Sequence, residues 1–318
     1  MSNEKDLAVK KFLERPENFS DLFNGSLFQG KQVIKADRLE NLPGESALSF
    51  ADKKGKKVSV RRYRDVIRKA SGDTAYAVFA VEGQGETHYA MPVREMLYDA
   101  MNYAGQVKEI SERHRREKDY RDSAEFLSGL LREDRLMPVI TICLYYGTKE
   151  WEGPLDLFNM LNIPEEYEDM KPFMTNYKVN LVQASNVDPE NFRTDLKIIF
   201  TLLSMAGDGK KMKKYIRERP EEFGHIPYET YDCLRELLHV DKWRKADQEN
   251  GKGEVDMCKA LEEIAEMAKQ EGMAEGVQQG ILLAKKVIHY ARDGRSAEEI
   301  AGICGIPVDE VREITEEW

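Results

Sequence analysis

Cysteine is scarce in this 318-residue chain, and the four present, Cys143, Cys233, Cys258 and Cys304, form no CxxC pair. The five histidines, at 88, 114, 225, 239 and 289, never fall at zinc-ligand spacing with them. That scatter argues against a structural cysteine–histidine zinc site and against a disulfide framework, and predicts thiols in the core or at the surface. Long apolar runs are missing too. The longest, Leu136 to Tyr146, is about half of the roughly 20 residues that cross a bilayer and reads as a buried strand. The first residues, with Glu4, Lys5, Asp6, Lys10 and Lys11, hold no apolar signal-peptide core. A cytoplasmic protein without a membrane partner is the expectation.

What is present is charge. Hydrophobic residues make up 41% and charged residues 33%, as in a globular chain with heavily charged surfaces. A net charge of −10 argues at first against a nucleic-acid partner, but the charge is polarised. Lys53, Lys54, Lys56, Lys57, Arg61, Arg62, Arg64, Arg68 and Lys69 crowd one stretch, with Asp52 and Asp65 nearly alone among them. From Glu254 onward acids outnumber bases. The basic run is either a solvated hairpin or a surface that tracks phosphates.

Residues 4 to 28 read as helix with a break near Pro16, and 58 to 67 as a strand of imperfect alternation for which a helix is an alternative. Ala75 to Val81 is apolar, β-branched and aromatic between turn signals, which predicts a central strand buried on both faces. Pro92 opens a long helix to about Arg116. Further strands are expected at 137–146 and 178–184, and helices at 155–161, 189–205 and 228–240. The order predicts a mixed α/β core with helical decoration over 1–247, a glycine-interrupted linker at 248–254 and a helical tail over 255–318. Within the tail, a long polar helix to about 292 is interrupted by glycines that cost about 1 kcal/mol each, so it calls for a partner surface, a second copy included. Ser296 and Glu299 form a capping box at a helix-turn-helix-like end. Its second helix is too acidic to face phosphates, so the segment reads as an interaction module.

Glu82 closes the central strand, and Gln84 points to the same side because strand side chains alternate. If 58–67 and 75–84 pair as a hairpin, Asp65 approaches Glu82 near one sheet edge. Two carboxylates so placed can hold Mg²⁺ through oxygen ligands. A carboxylate at a strand end equally marks where the strand reaches solvent. Arg94 and Tyr98, at i and i+4 on the following helix, share a face and either contact phosphate or pack on the sheet. Tyr103 and Gln106 face the same choice. His88 is a proton carrier or incidental, and Lys210, Lys211, Lys213 and Lys214 extend a phosphate track or are solvated.

Several segments carry a resemblance. Arg62-Tyr-Arg-Asp-Val-Ile-Arg-Lys69, Val81-Glu-Gly-Gln84, Tyr89-Ala-Met-Pro-Val-Arg94, Met96-Leu-Tyr-Asp-Ala100 and Tyr103-Ala-Gly-Gln106 are among them. So are Pro138-Val-Ile-Thr-Ile-Cys-Leu-Tyr-Tyr-Gly147, Lys149-Glu-Trp-Glu-Gly-Pro154 and Glu271-Gly-Met-Ala-Glu-Gly276. Over nearly its whole length the chain resembles the transposase-like, recombination-promoting nuclease family. That resemblance implies a restriction-endonuclease-like PD-(D/E)xK fold, Mg²⁺-dependent DNA cleavage of low sequence specificity, and a link to RecA-independent recombination in bacteria. Residue by residue, it implies Asp65 and Glu82 as metal ligands, Gln84 where the wider superfamily places lysine, and Asp21 as a weaker match to a helical acid. Arg61, Arg62, Arg64, Arg68, Lys69 and Arg94 are the expected DNA contacts. Gln84, being neutral, can only hydrogen-bond to the attacking water, and Gly83 stands where the family has asparagine, loosening the strand end. The alternatives are a DNA-binding relic of the fold and an interaction subunit acting through the acidic tail.

Overall fold

The computed structural model describes residues 2–51, 57–63, 65–72, 75–147, 149–238 and 253–316. Helices α1 (Ser2–Leu13) and α2 (Pro16–Ser26) meet at Pro16, where proline suits the first turn of a new helix. Strands β1 (Leu39–Asn41), β2 (Glu45–Ala51), β3 (Lys57–Tyr63), β4 (Val66–Ser71) and β5 (Ala75–Gln84) follow. Next come α3 (Met91–Glu117), α4 (Ser123–Ser128), β6 (Val139–Tyr145) and β7 (Asn180–Val182). The chain ends in α5 (Leu196–Leu203), α6 (Gly209–Arg217), α7 (Pro220–Phe223), β8 (Ile226–Pro227), α8 (Tyr228–Leu238), β9 (Glu254–Val255), α9 (Met257–Arg292), α10 (Ala297–Cys304) and α11 (Val308–Thr315).

The main sheet is mixed, in the order β1-β4-β5-β6-β7. β1, β4 and β5 run antiparallel, while β5–β6 and β6–β7 are parallel. β5 is central and covered on both faces, as its unbroken apolar run requires. Ala77, Phe79 and Val81 join the large core built with α1, α2, α5 and α8, whereas Val78 and Ala80 pack with Ile67 on the opposite face. α3 is clamped to that second face. Gln106 holds both the amide and carbonyl of Met137 (2.8 and 3.2 Å), and Tyr103 accepts the Val139 amide at 3.0 Å. Asp99 accepts from Thr141 and Tyr177 at 2.8 and 2.6 Å. Tyr103 and Gln106 therefore dock the helix on the sheet.

Four elements differ from the sequence expectation. The strand expected over 58–67 is two, since Arg61, Arg62, Arg64 and Asp65 break the apolar alternation that one strand would need. β3 pairs with β2 in a separate hairpin, and β4 joins the main sheet. The helix expected at 155–161 shrinks to a 3₁₀ turn at Phe158–Met160, because the backbone of Leu155 and Leu157 pairs instead with Val179 and Tyr177. The one expected at 189–205 splits into a 3₁₀ turn at Pro189–Asn191 and α5. Finally, α9 begins inside the main core, with Met257 and Leu261 buried there and β9 paired to β8. Only its far end builds a separate small core, from Val287, Ile300, Ala301 and Val311. The boundary expected at residue 247 lies outside the described residues. No described helix is long and apolar enough to cross a membrane.

Candidate active site

Alternation along β5 turns Glu82 to the α3 side, where it is fully buried, 0% exposed. An ionised carboxylate at that depth needs a countercharge. Arg94, in the first turns of α3, brings Nη2 to 3.2 Å from Glu82 Oε2, while its Nε donates to the Tyr98 hydroxyl at 3.2 Å. Burial works against the guanidinium charge, but Glu82, Tyr98 and Asp65 outweigh it and raise the pKa of Arg94.

Asp65 occupies the bend before β4. The pairing of Val66 with Val81 brings it to the end of β5, where its Oδ2 accepts the Gly83 amide at 2.7 Å. The expected approach of Asp65 to the Glu82 end of the strand is thus made by β4. Burial raises the Asp65 pKa, and Asp6 pushes the same way against the Gly83 amide and Arg94. Neighbouring Cys143, opposite Glu82 on β6, is no nucleophile: burial, then Glu95 and Glu82, push its thiol far up.

Asp65 and Arg94 border a cleft of about 460 Å³ whose lining also includes Lys5, Asp6, Gln84 and His88, while Glu82 lies outside that lining. Gln84 and His88 therefore share the site with Asp65. Lys5 and Asp6 were not foreseen. Asp6 accepts a short hydrogen bond from the Tyr146 hydroxyl, whose pKa is driven up by burial and then by Asp6. Lys5 Nζ donates to Leu237 O at 3.2 Å, and burial lowers its pKa against the pull of Glu86 and Asp6. Both precede Val9, Phe12 and Leu13 at helical spacing, so they fall on the apolar stripe of α1. Charge on a buried stripe is the signal that could have found them.

Asp21 is elsewhere. Its buried Oδ2 accepts from Arg193 N, Thr194 N and Thr194 Oγ1 at 2.7–2.8 Å, tying α2 to the turn before α5. That bond set interrupts the helix expected at 189–205, and the helical acid of this cleft is Asp6. Asp21→Ala should lower the free energy of unfolding by about 1–3 kcal/mol in all, because hydrogen bonds from the part-buried Arg193 and Thr194 to a carboxylate are lost, with the activity of the folded fraction unchanged. Urea melts paired with an activity assay check this, and activity lost from a fully folded variant would return Asp21 to the site.

Gly83 does not loosen the strand. A Cβ there would stand 3.2 Å from the Tyr146 hydroxyl and 3.4 Å from Asp65 Oδ2, so the glycine makes room for Tyr146 across the strand end. The expected DNA contacts also divide. Arg68 is 2% exposed, donates to the Glu14 carbonyl and covers the Phe19 ring at 5.2 Å, so it holds the α1–α2 corner and cannot meet a phosphate. Lys69 pairs with Glu40 at 3.0 Å, and Arg94 with Glu82. Arg61 and Arg62 lie on β3, and Arg64 lies outside the described residues. The lysines of α6 flank an open groove of about 440 Å³ lined by Lys210, Lys213, Lys214 and Arg217.

Asp65, Glu82 and Asp6 are oxygen donors, the kind a hard divalent cation such as Mg²⁺ takes, but among the described residues their carboxylates do not converge as a three-ligand group. Arg94 meanwhile balances the charge of Glu82. Set against protein-family models, curated proteins and solved structures, the chain matches none.

Proposed function

We propose that this chain is a Mg²⁺-dependent phosphodiester hydrolase acting on DNA, with a nuclease-like core of the PD-(D/E)xK kind. The observation that carries the reading is the carboxylate of Asp65 at the end of the central strand, in a cleft that also holds Asp6, Lys5, Gln84 and Arg94, with Arg94 linking it to the fully buried Glu82 next along the strand. Asp65 and Glu82 would hold the cation. When bound, the metal supplies an activated water and offsets charge building on the phosphate. Gln84 orients the water by hydrogen bonding, a neutral role weaker than a lysine's. Lys5 adds the positive charge that position 84 lacks. Arg94 holds one oxygen of Glu82, and Tyr146 fixes the carboxylate of Asp6.

A second reading rests on the Arg94–Glu82 pair. A guanidinium that satisfies Glu82 can leave a DNA-binding fold whose chemistry has lapsed. Supercoiled plasmid incubated with Mg²⁺ separates the two. Nicking by the parent that Asp65→Ala and Glu82→Ala both abolish is the expected result. Nicking that survives in both variants would remove these residues from catalysis. No nicking, with salt-sensitive DNA binding indifferent to Mg²⁺, would favour the second reading.

A further inference from the structure

The last turn of α3 carries His114 and Glu117 at i and i+3, on one face. Lys118 then adopts the left-handed conformation (φ 57°), uncommon for a residue with a side chain, and reverses the chain so that Asp119 returns to the same turn. The His114 ring is 3% exposed and held at both nitrogens. Nδ1 lies 2.9 Å from each oxygen of Asp119, and Nε2 lies 2.9 Å from Asp134 Oδ2.

The two ends of the ring differ. Asp134 also accepts the Leu131 amide at 2.7 Å and has Arg113 at 3.5 Å, so its charge is well compensated. At the Nδ1 end, ligand atoms of His114, Glu117 and Asp119 all lie within 4.8 Å of one another. Neither Asp119 nor Glu117 forms an ion pair with a lysine or arginine among the described residues. With Nε2–H given to Asp134, Nδ1 faces the carboxylates of Asp119 and Glu117, a position that the second imidazolium proton fills and that a metal ion can take in its place.

We propose that His114 Nδ1, Asp119 and Glu117 form a binding site for a zinc-like divalent metal ion, with Asp134 orienting the imidazole through Nε2. One imidazole and two carboxylates are an established ligand set for such an ion, with a fourth position left for water. A carboxylate on the far ring nitrogen is the usual way a metal-bound histidine is fixed. The ion takes the place of the Nδ1 proton, which leaves to solvent, so binding releases one proton from the imidazolium. The site lies about 30 Å along α3 from Arg94, at 1.5 Å per residue, and is therefore separate from the cleft. An ion there would staple the 119–134 excursion, α4 included, to the end of α3.

Full-length protein stripped with EDTA, then titrated with Zn²⁺ by calorimetry near pH 6 in buffers of different ionisation enthalpy, tests this. The expected result is a proton-releasing site, distinct from any uptake in the cleft, weakened at least about tenfold by Glu117→Gln and by Asp119→Asn and retained in Asp65→Asn. Glu117 is exposed, so its amide leaves the fold intact. Zn²⁺ should also raise the melting temperature of the parent more than that of either variant. No Zn²⁺ uptake, equal affinity in both variants, or a site lost only in Asp65→Asn would overturn the proposal. Uptake without proton release would do the same, since it would leave Nδ1 out of the ligand set.

Discussion

Asp65→Asn is expected to melt at a higher temperature than the parent at pH 7 while losing plasmid nicking. Burial is the largest influence on the Asp65 carboxyl and raises its pKa above the ordinary 3.8. A carboxyl whose folded pKa exceeds its unfolded one adds stability while it stays protonated, and that contribution is lost as pH rises through the folded pKa. At pH 7 the folded chain thus carries a desolvated carboxylate that the unfolded chain would hydrate. The amide has no charge to desolvate, and its oxygen still accepts from Gly83. The gain should therefore be largest at neutral pH and shrink as the pH falls through the raised folded pKa, where the parent carboxyl takes up its own proton. If Asp65 holds the cation as proposed, its loss should cost more nicking activity than the roughly 10–100-fold that outer-shell partners control. Melts across that pH range, run beside the nicking assay, give the answer. A variant less stable than the parent at pH 7 would mean that Asp65 is a structural anion, with its burial repaid by Arg94 and the Gly83 amide.

Phe23→Ala should remove about 3–5 kcal/mol of stability, a large part of what a domain has to lose. Phe23 is fully buried, with ring centroids 5.1 Å from Phe19 and 5.0 Å from Phe79. It joins α2 to β5, the strand that ends in Glu82, so the loss should reach the site as well as the melt. Phe173, 92% exposed, is the control: its alanine variant should stay within about 0.5 kcal/mol of the parent. Urea unfolding measures both. A loss at Phe23 no larger than at Phe173 would mean that α2 does not support the central strand.

The approach of Asp65 to the Glu82 end of β5 was legible because its signals are local. An apolar run ending in a carboxylate marks the mouth of a central strand, and the turn signal Ser71-Gly72-Asp73 makes the preceding strand its neighbour. Asp21 misled because a carboxylate on an early amphipathic helix can serve a cleft or a distant turn with the same sequence around it. Arg68 misled in the same way. Within a basic run its charge looked solvated, yet β4 points it inward onto Phe19 and the Glu14 carbonyl. Helix 155–161 failed because backbone pairing with 177–179 outweighed a weak local preference.

By itself the sequence determined the order of the main elements, the buried central strand, the long helix opening at Pro92 and the capping box at Ser296, all set by periodicity and cap chemistry within a few residues. Tertiary structure alone decided which charges meet. It brought Lys5 and Asp6 from α1 to the end of β5, set Arg94 against Glu82, gave Gly83 its role beneath Tyr146, and folded Asp119 and Asp134 onto His114. Some of these pairings join residues far apart in the chain, as Tyr146 with Asp6, and others residues that only the packing of α3 on the sheet or the reversal after it brings within reach, as Arg94 with Glu82 and Asp119 with His114. Burial then sets their chemistry, because it is desolvation that makes each such charge depend on the partner it finds.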